Sequence, residues 1–494
     1  MMVSARAFAF VFATTLTFVA TGNASTTFAI PSSPPANASR LDPYPIGISF
    51  EFFMWPSYMT NITPPVQCLE HFSRLYEKPV PIRIGGTTQD RATFDPGFGG
   101  YVGYHVDDPL VAPMDLVYGP KFFDLIPKYG SETILGFNRG RDNRTNTYAA
   151  ILEARKRAGK YISAIELGNE PDLYLMWEQP IATPPWNETQ EGQSNADWAQ
   201  GFIDIWPGEQ PILVGGSYAV PIPIVPNWPN TDYLITEAYN QTVKDAIKFY
   251  NGHLYALSNG TTLEGEMNHV RTVADVSTFV EKIATARSVG KKYYLGETNF
   301  HGLDEEMDAT FGAALVTLDR SLRSVSIGLE RLYYHQGTIN QAFFNWWSDN
   351  QVEAPFYGGF VSALALHHGD AIVAGDTGTT PFAQYVVYAK GAPIKVVLIN
   401  TAYYSGTGTR TIEKFTLTGV KGKVLKALRF TAASSEVTTV PGDVAMGPHP
   451  TIGGQYFSNE NCALLGDLEF ERVSVRREEA VVSLAASEAL IVYL

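Results

Sequence analysis

The feature that most constrains this chain is a rhythm. Eight short apolar runs recur between residues 46 and 336, at 46–53, 80–85, 133–138, 162–169, 211–216, 247–255, 292–297 and 330–336. Runs such as Ile212-Leu213-Val214 lack polar–apolar alternation, as parallel strands covered on both faces do. Helical patterns separate them at 66–76, 147–158, 196–205, 276–289 and 310–326, with less regular ones at 119–129 and 232–244 and a further one at 360–368. Eight strands alternating with helices predict an α/β fold, a (β/α)8 TIM barrel over residues 42–368.

From about residue 369 the pattern changes. Short strands such as Tyr385-Val386-Val387-Tyr388 and Ile394–399 are separated by Gly, Thr, Ser and Asn, with two more closing the chain over 478–494. Residues 369–494 therefore read as a C-terminal antiparallel β-sandwich domain. Its expected role is packing against the barrel. Residues 25–41, rich in Ser, Thr, Pro and Ala, read as a leader or linker.

Residues 1–24 resemble a secretory signal peptide: Arg6, an apolar run from Ala7 to Ala20, then small residues at Gly22-Asn23-Ala24. The run is too short to span a bilayer, so no membrane segment is expected in the mature form. Secretion fits six Asn-X-Ser/Thr sequons in the mature chain, at Asn37, Asn61, Asn143, Asn187, Asn240 and Asn259. Cys68 and Cys462 are the two cysteines. In an oxidising compartment they form either one bridge or two separate buried thiols. The formal charge of −14 argues against nucleic acid and sulfated polymers, which demand clustered Lys and Arg.

In a parallel barrel the functional side chains gather at the C-terminal strand ends. Those ends carry Glu51, Gly85-Gly86-Thr87, Asn138, Asn169-Glu170, His253 and Tyr255, Glu297, and His335-Gln336. Glu170 follows Gly168-Asn169 on the fourth strand, and Glu297 follows Gly296 on the seventh. Pro171 keeps Glu170 out of the helical region, which predicts an extended end to that strand. Glycoside cleavage needs one carboxyl group to protonate the departing oxygen and another to meet the developing oxocarbenium ion. Glu170 is the candidate acid/base and Glu297 the candidate nucleophile. Asn169 is placed to donate to the sugar 2-hydroxyl, and Tyr255 to hold Glu297 in line. Glu51 and Arg83 are read either as substrate contacts or as a buried pair within the barrel. His253, His301 and His335 read as structural hydrogen-bonders without metal-ligand spacing, so neither a metal nor a cofactor is called for. Trp346-Trp347 offers either a sugar platform or interdomain packing.

Leu167-Gly168-Asn169-Glu170-Pro171-Asp172, Leu295-Gly296-Glu297-Thr298 and Arg331-Leu332-Tyr333-Tyr334-His335-Gln336-Gly337 resemble glycoside hydrolase family 79, within the retaining barrel glycosidases. The resemblance covers nearly the whole mature chain and is closest to the secreted fungal β-glucuronidases. It implies Glu170 as acid/base and Glu297 as nucleophile. It also implies that a substrate carboxylate is held by a tyrosine of the sixth strand, best matched by Tyr255, and by the 299–302 loop ending at Gly302. The implied partner is a carbohydrate containing glucuronic acid, attacked from its end. Heparanase-like internal cleavage and a non-catalytic sugar-binding barrel are the alternatives; the acidic charge disfavours the first and retention of both glutamates the second.

Overall fold

The computed structural model describes residues 26–256, 260–300, 304–341, 345–440 and 449–494. The signal-like segment, Asn259, His301 and Gly302 lie outside them. All eight expected strands form, and they close into one barrel: Ile46–Glu51, Ile82–Gly85, Thr133–Phe137, Ile162–Leu167, Leu213–Tyr218, Ile247–Leu254, Lys292–Thr298 and Leu332–Gln336. Each pairs in parallel with its sequence neighbour, and the eighth returns to the first through Leu332↔Ile46 to Gln336↔Phe50. One residue from each of six strands, Ile134, Ala164, Val214, Phe249, Tyr294 and Tyr333, forms a separate apolar cluster that plugs the barrel. Two residues further along several of those strands come the polar groups: Glu166 after Ala164, Asn251 after Phe249, His335 after Tyr333. The two-residue period of a strand thus carries the lining from an apolar plug to a polar mouth.

Helices pack outside, among them Pro64–Tyr76, Pro120–Tyr129, Arg144–Ala158, Glu188–Ile205, Phe311–Ile327 and Ala354–Leu366. Two expectations are corrected here. Residues 276–289 do not form one helix: His269–Ser277 ends and Val280–Ser288 begins again, because Thr278 turns its hydroxyl onto the Asp275 carbonyl and Phe279 is buried. Residues 232–244 break into Thr231–Tyr233, a π-turn at Leu234–Ala238 and Gln241–Ala246, the last capped by the Asn240 side chain. The connection between the second and third barrel strands also carries an unexpected small sheet of Ala92–Phe94, Val102–Tyr104 and Leu116–Tyr118.

Residues 371–493 supply most of the second domain, a mainly antiparallel β structure with its own core around Val386, Val396, Phe415, Leu417, Val482 and Leu490. The supposed linker belongs to it. Thr26–Ala29 pairs in parallel with Phe415–Thr418, Ser39–Arg40 pairs with Ala371–Ile372, and Phe28 and Ile30 are buried in its core. The described part of this segment, residues 26–41, therefore contributes two strands to the sandwich, because Phe28 and Ile30 find apolar partners far along the chain. Cys68, on the helix Pro64–Tyr76, is bonded to Cys462, so the two cysteines tie barrel to sandwich across 394 residues. Trp346 and Trp347 are fully buried against Phe72, Tyr334 and Phe356, which in turn packs on Phe457. They are interdomain packing, and no face of either is left for a sugar.

Candidate active site

Glu170 stands just past the fourth strand, but its backbone is left-handed, at φ 49° and ψ 55°, and not extended as expected. Pro171 excludes the right-handed helical region without choosing between the remaining two. Tertiary bonds make the choice: the Glu170 N–H donates to the Ser217 carbonyl at 2.9 Å, and the Glu170 carbonyl accepts from Leu173 at 2.9 Å. Gly168, at φ 84°, shares the turn; a Cβ there would stand 2.1 Å from the Tyr174 hydroxyl. The turn lifts the Glu170 carboxyl into the mouth. One oxygen of Glu170, one of Glu297 and a His253 ring nitrogen lie within 4.8 Å of one another.

Arg83 joins most of the site. Fully buried, it donates to Glu166 through Nε and Nη2, to Ser49 and Glu297 through Nη1, and to Asn169 Oδ1 through Nη2, with the Glu297 contact at 2.6 Å. Glu166 also accepts from Ser217 Oγ and Asn251 Nδ2. The Glu51–Arg83 pair, one of the two readings of these residues, is absent from this network. Glu51 accepts from the Thr88 backbone and hydroxyl and meets His335 Nε2 at 3.2 Å, while the Arg83 guanidinium goes to Glu166 and Glu297. Gly86, at φ 95°, lets that turn pass: a Cβ would be 2.5 Å from Glu51 Oε2.

The two mouth glutamates are pushed apart in acidity. Burial raises the pKa of Glu170, and the Glu297 charge adds to this, against the opposing hydrogen bond and charge of His253. Burial also opposes ionisation of Glu297. There the positive charges of His335, His253 and Arg83, with the Tyr255 hydrogen bond, outweigh it and hold Glu297 well below the usual carboxylate range. Tyr255 donates to Glu297 Oε1 at 2.7 Å. Burial and the Glu297 charge raise the Tyr255 pKa, so it stays a neutral donor. His253 Nδ1 sits 2.8 Å from Glu170 Oε1; burial opposes its protonation, but Glu297 and Glu170 outweigh that and raise its pKa.

The structure thus brings Glu170, Glu297, Asn169 and Tyr255 together. Asn169 keeps its Oδ1 on Arg83, while its Nδ2 is buried with no partner among the described residues. Tyr255 gives its one hydroxyl proton to Glu297, so in this arrangement that proton is not offered to a substrate carboxylate. Asn299 turns its amide to the His335 carbonyl, and its own carbonyl accepts from Arg320. Of the residues sequence reasoning missed, Asp90 matters most. It accepts from the backbones of Asn169, Arg139 and Gly140 and from the Tyr174 hydroxyl, pinning the turn that carries Asn169. Glu166 left a faint signal, the one acid in a mostly apolar strand.

A closed parallel barrel whose mouth holds two buried, oppositely tuned glutamates on its fourth and seventh strands is the frame of a glycoside hydrolase. A model described as the glycosyl hydrolase family 79 C-terminal beta domain matches residues 384–491. A 4-O-α-L-rhamnosyl-β-D-glucuronidase structure from Fusarium oxysporum has 34% sequence identity and a TM-score of 0.88, covering 95% of this chain and 100% of that one. The chain belongs to glycoside hydrolase family 79. β-Glucuronidases of Aspergillus niger and Neurospora crassa are 28% and 26% identical, over 79% and 74% of this chain and 78% and 73% of their own lengths. An α-L-arabinofuranosidase from Thermotoga maritima, at 13% identity and a TM-score of 0.62, shares the fold.

Proposed function

We propose that this protein is a secreted, N-glycosylated, retaining exo-β-glucuronidase that releases terminal β-linked glucuronic acid from glycans such as arabinogalactan side chains or from smaller glucuronides. The observation that carries the reading is the divided acidity of Glu170 and Glu297 across a gap under 4.8 Å. Glu297, ionised, attacks the anomeric carbon while Glu170, protonated, gives its proton to the departing oxygen. A covalent glucuronyl–Glu297 ester and a free alcohol result. Glu170, now ionised, takes a proton from water as the water's oxygen attacks the anomeric carbon; the ester bond breaks and both carboxyl groups return to their starting states. Asn169 Nδ2, without a partner among the described residues, donates to the sugar 2-hydroxyl, a contact that strengthens in the transition state. The names of the similar proteins support glucuronic acid as the sugar. Backbone amides of the 299–302 loop remain the proposed receivers of its carboxylate, since Tyr255 serves Glu297. Secretion rests on the signal-like leader and on the surface positions of Asn37, Asn61, Asn143 and Asn240, all exposed, and of half-buried Asn187.

A second reading adds a cap. The 34% identical relative is a 4-O-α-L-rhamnosyl-β-D-glucuronidase, which favours a substrate substituted on O4. One set of assays tests both. Purified protein is given an aryl β-glucuronide, the same compound with rhamnose on O4, and the matching β-glucoside and β-xyloside. We expect glucuronide hydrolysis at least tenfold above the neutral sugars, abolished in Glu297→Gln, with azide rescuing Glu297→Ala as the inverted glycosyl azide. Comparable rates on glucoside and glucuronide, or near-native activity in Glu297→Gln, would overturn the assignment. The capped-to-uncapped ratio decides the second reading.

A further inference from the structure

One sequon differs from the others in where it stands. Among the described residues, Asn37, Asn61, Asn143 and Asn240 are exposed, and Asn187 is half-buried. Asn187 opens the helix Glu188–Ile205. Its Oδ1 accepts from the N–H groups of Thr189 and Gln190 at 3.0 and 3.3 Å, and Gln190 Oε1 accepts from the Asn187 N–H at 3.2 Å. The cap uses only the oxygen of the side-chain amide. Nδ2 makes no hydrogen bond among the described residues. An N-linked sugar is carried on Nδ2, so this asparagine can cap the helix and bear a glycan at once.

Asn187 also stands in the wall of a cavity of about 600 Å³, with Leu175, Met176, Trp186, Val225 and Trp228. The rim is apolar and open to water: Met176 is 67% exposed, Val225 52%, and Ile222 and Ile224, on the loop that carries Val225, 59% each. Clustered aliphatic side chains at a surface mark a place where something binds. The two tryptophans spend their indole N–H groups on the protein, Trp186 on the Pro171 carbonyl at 2.7 Å and Trp228 on Asp172 at 3.2 Å. What they offer the cavity is ring carbon. An N-acetylglucosamine has the matching surface, with an apolar ring face and an acetamido methyl for indole and aliphatic carbon, and hydroxyls along its outer edge for water.

We propose that Asn187 is glycosylated and that the first N-acetylglucosamine of its glycan lies in this cavity, covering the rim of Met176 and Val225. The inference rests on the secreted, N-glycosylated part of the functional reading. The bond forms between Nδ2 and the anomeric carbon of a sugar carried on a lipid diphosphate; the lipid diphosphate leaves and Nδ2 loses one proton. Asn143 and Asn240 also cap helices through their side chains, but neither lines this cavity.

The test takes the protein as secreted by a eukaryotic host and reads each sequon by glycopeptide mass spectrometry. We expect sugar on Asn187. Asn187→Asp keeps a capping oxygen and removes the acceptor nitrogen, while Thr189→Ala breaks the sequon with Asn187 in place. Both should raise the fluorescence of an apolar dye, anilinonaphthalene sulfonate, about threefold over the wild type. Asn143→Asp, a cap on open surface, should leave it unchanged. Trimming the wild type with an endoglycosidase to single N-acetylglucosamines should also leave it unchanged, because the first sugar is the one that covers the rim. Dye binding that stays at the wild-type level in both variants, or that rises on trimming, would overturn the cover. So would an Asn187 without sugar, and in a protein that sediments as a dimer that result would give the rim to a second copy. Sugar on none of the six sequons would bring down the N-glycosylated reading as well, with the glucuronidase reading left standing.

Discussion

Arg83 spends its donors on four different residues, and the spending explains why Tyr255 behaves as it does. Glu297 receives Arg83 on one oxygen and Tyr255 on the other, so both of its oxygens are fixed before any sugar arrives. A nucleophile held by a charged donor and a neutral one stays ionised without losing its direction of attack. Because Tyr255 acts through Glu297, its removal should weaken every substrate alike. A hydrogen bond to a charged group contributes roughly 1.5–3 kcal/mol, so Tyr255→Phe should lower kcat/KM about ten- to a hundredfold. The loss should be proportional on an aryl β-glucuronide and on the poorer β-glucoside, measured side by side. A loss confined to the glucuronide would return Tyr255 to the uronate carboxylate.

Turns, not strands, do the exact positioning in this barrel. Asp90 lies in the short 3-10 turn after the second strand and reaches the turns after the third and fourth. Its two oxygens accept four donors at 2.7–2.8 Å, all of them buried with it. Replacing it with alanine leaves those N–H and O–H groups without their partner, a penalty of about 3 kcal/mol or more. Asp90→Ala should therefore lower the urea midpoint strongly, and Asp90→Asn less, since one carbonyl oxygen survives. Turnover in Asp90→Asn should fall further than its stability, because the Asn169 backbone is released. Turnover that tracks the folded fraction alone would show Asp90 to be structural only.

At the scale of the whole molecule, two polar devices join barrel and sandwich beside the apolar packing of Phe356 on Phe457. One is covalent, Cys68 to Cys462. The other is an ionic cluster: His269 Nδ1 meets Asp319 at 2.7 Å, its Nε2 meets Asp376 of the sandwich at 3.0 Å, and Tyr385 donates to Asp319 at 2.7 Å. Burial opposes protonation of His269, but Asp319 and then Asp376 outweigh it and raise its pKa to about 10. A raised histidine contributes stability that is complete below its unfolded pKa and lost as pH rises through the folded one. On that linkage the contribution should be halved by about pH 8.5 and largely gone by about pH 10. The difference in denaturant midpoint between wild type and His269→Gln should shrink over the same range. A difference that is constant from pH 7 to pH 10 would show that His269 stabilises by packing and not by charge.

The barrel was legible because its signals are local. An apolar run broken by Gly168-Asn169-Glu170-Pro171 announces a buried strand with a polar tip, whatever surrounds it, and the same holds for Gly296-Glu297. Eight such runs in order already placed Glu170 and Glu297 on strands four and seven. What the chain could not state locally were choices made by distant partners. Arg83 had Glu51, Glu166 and Glu297 all within the reach of a barrel interior, and only closure decided for the last two. Proline at 171 left two backbone regions open to Glu170, and a hydrogen bond to Ser217, on the neighbouring strand, selected one. Residues 25–41 have the composition of a linker, yet Thr26–Ala29 completes a sheet with Phe415–Thr418 almost 390 residues away. Local pattern determines which face a side chain takes and where a strand stops; which partner meets it there is decided by chain closure, whose contacts carry no sequence period at all.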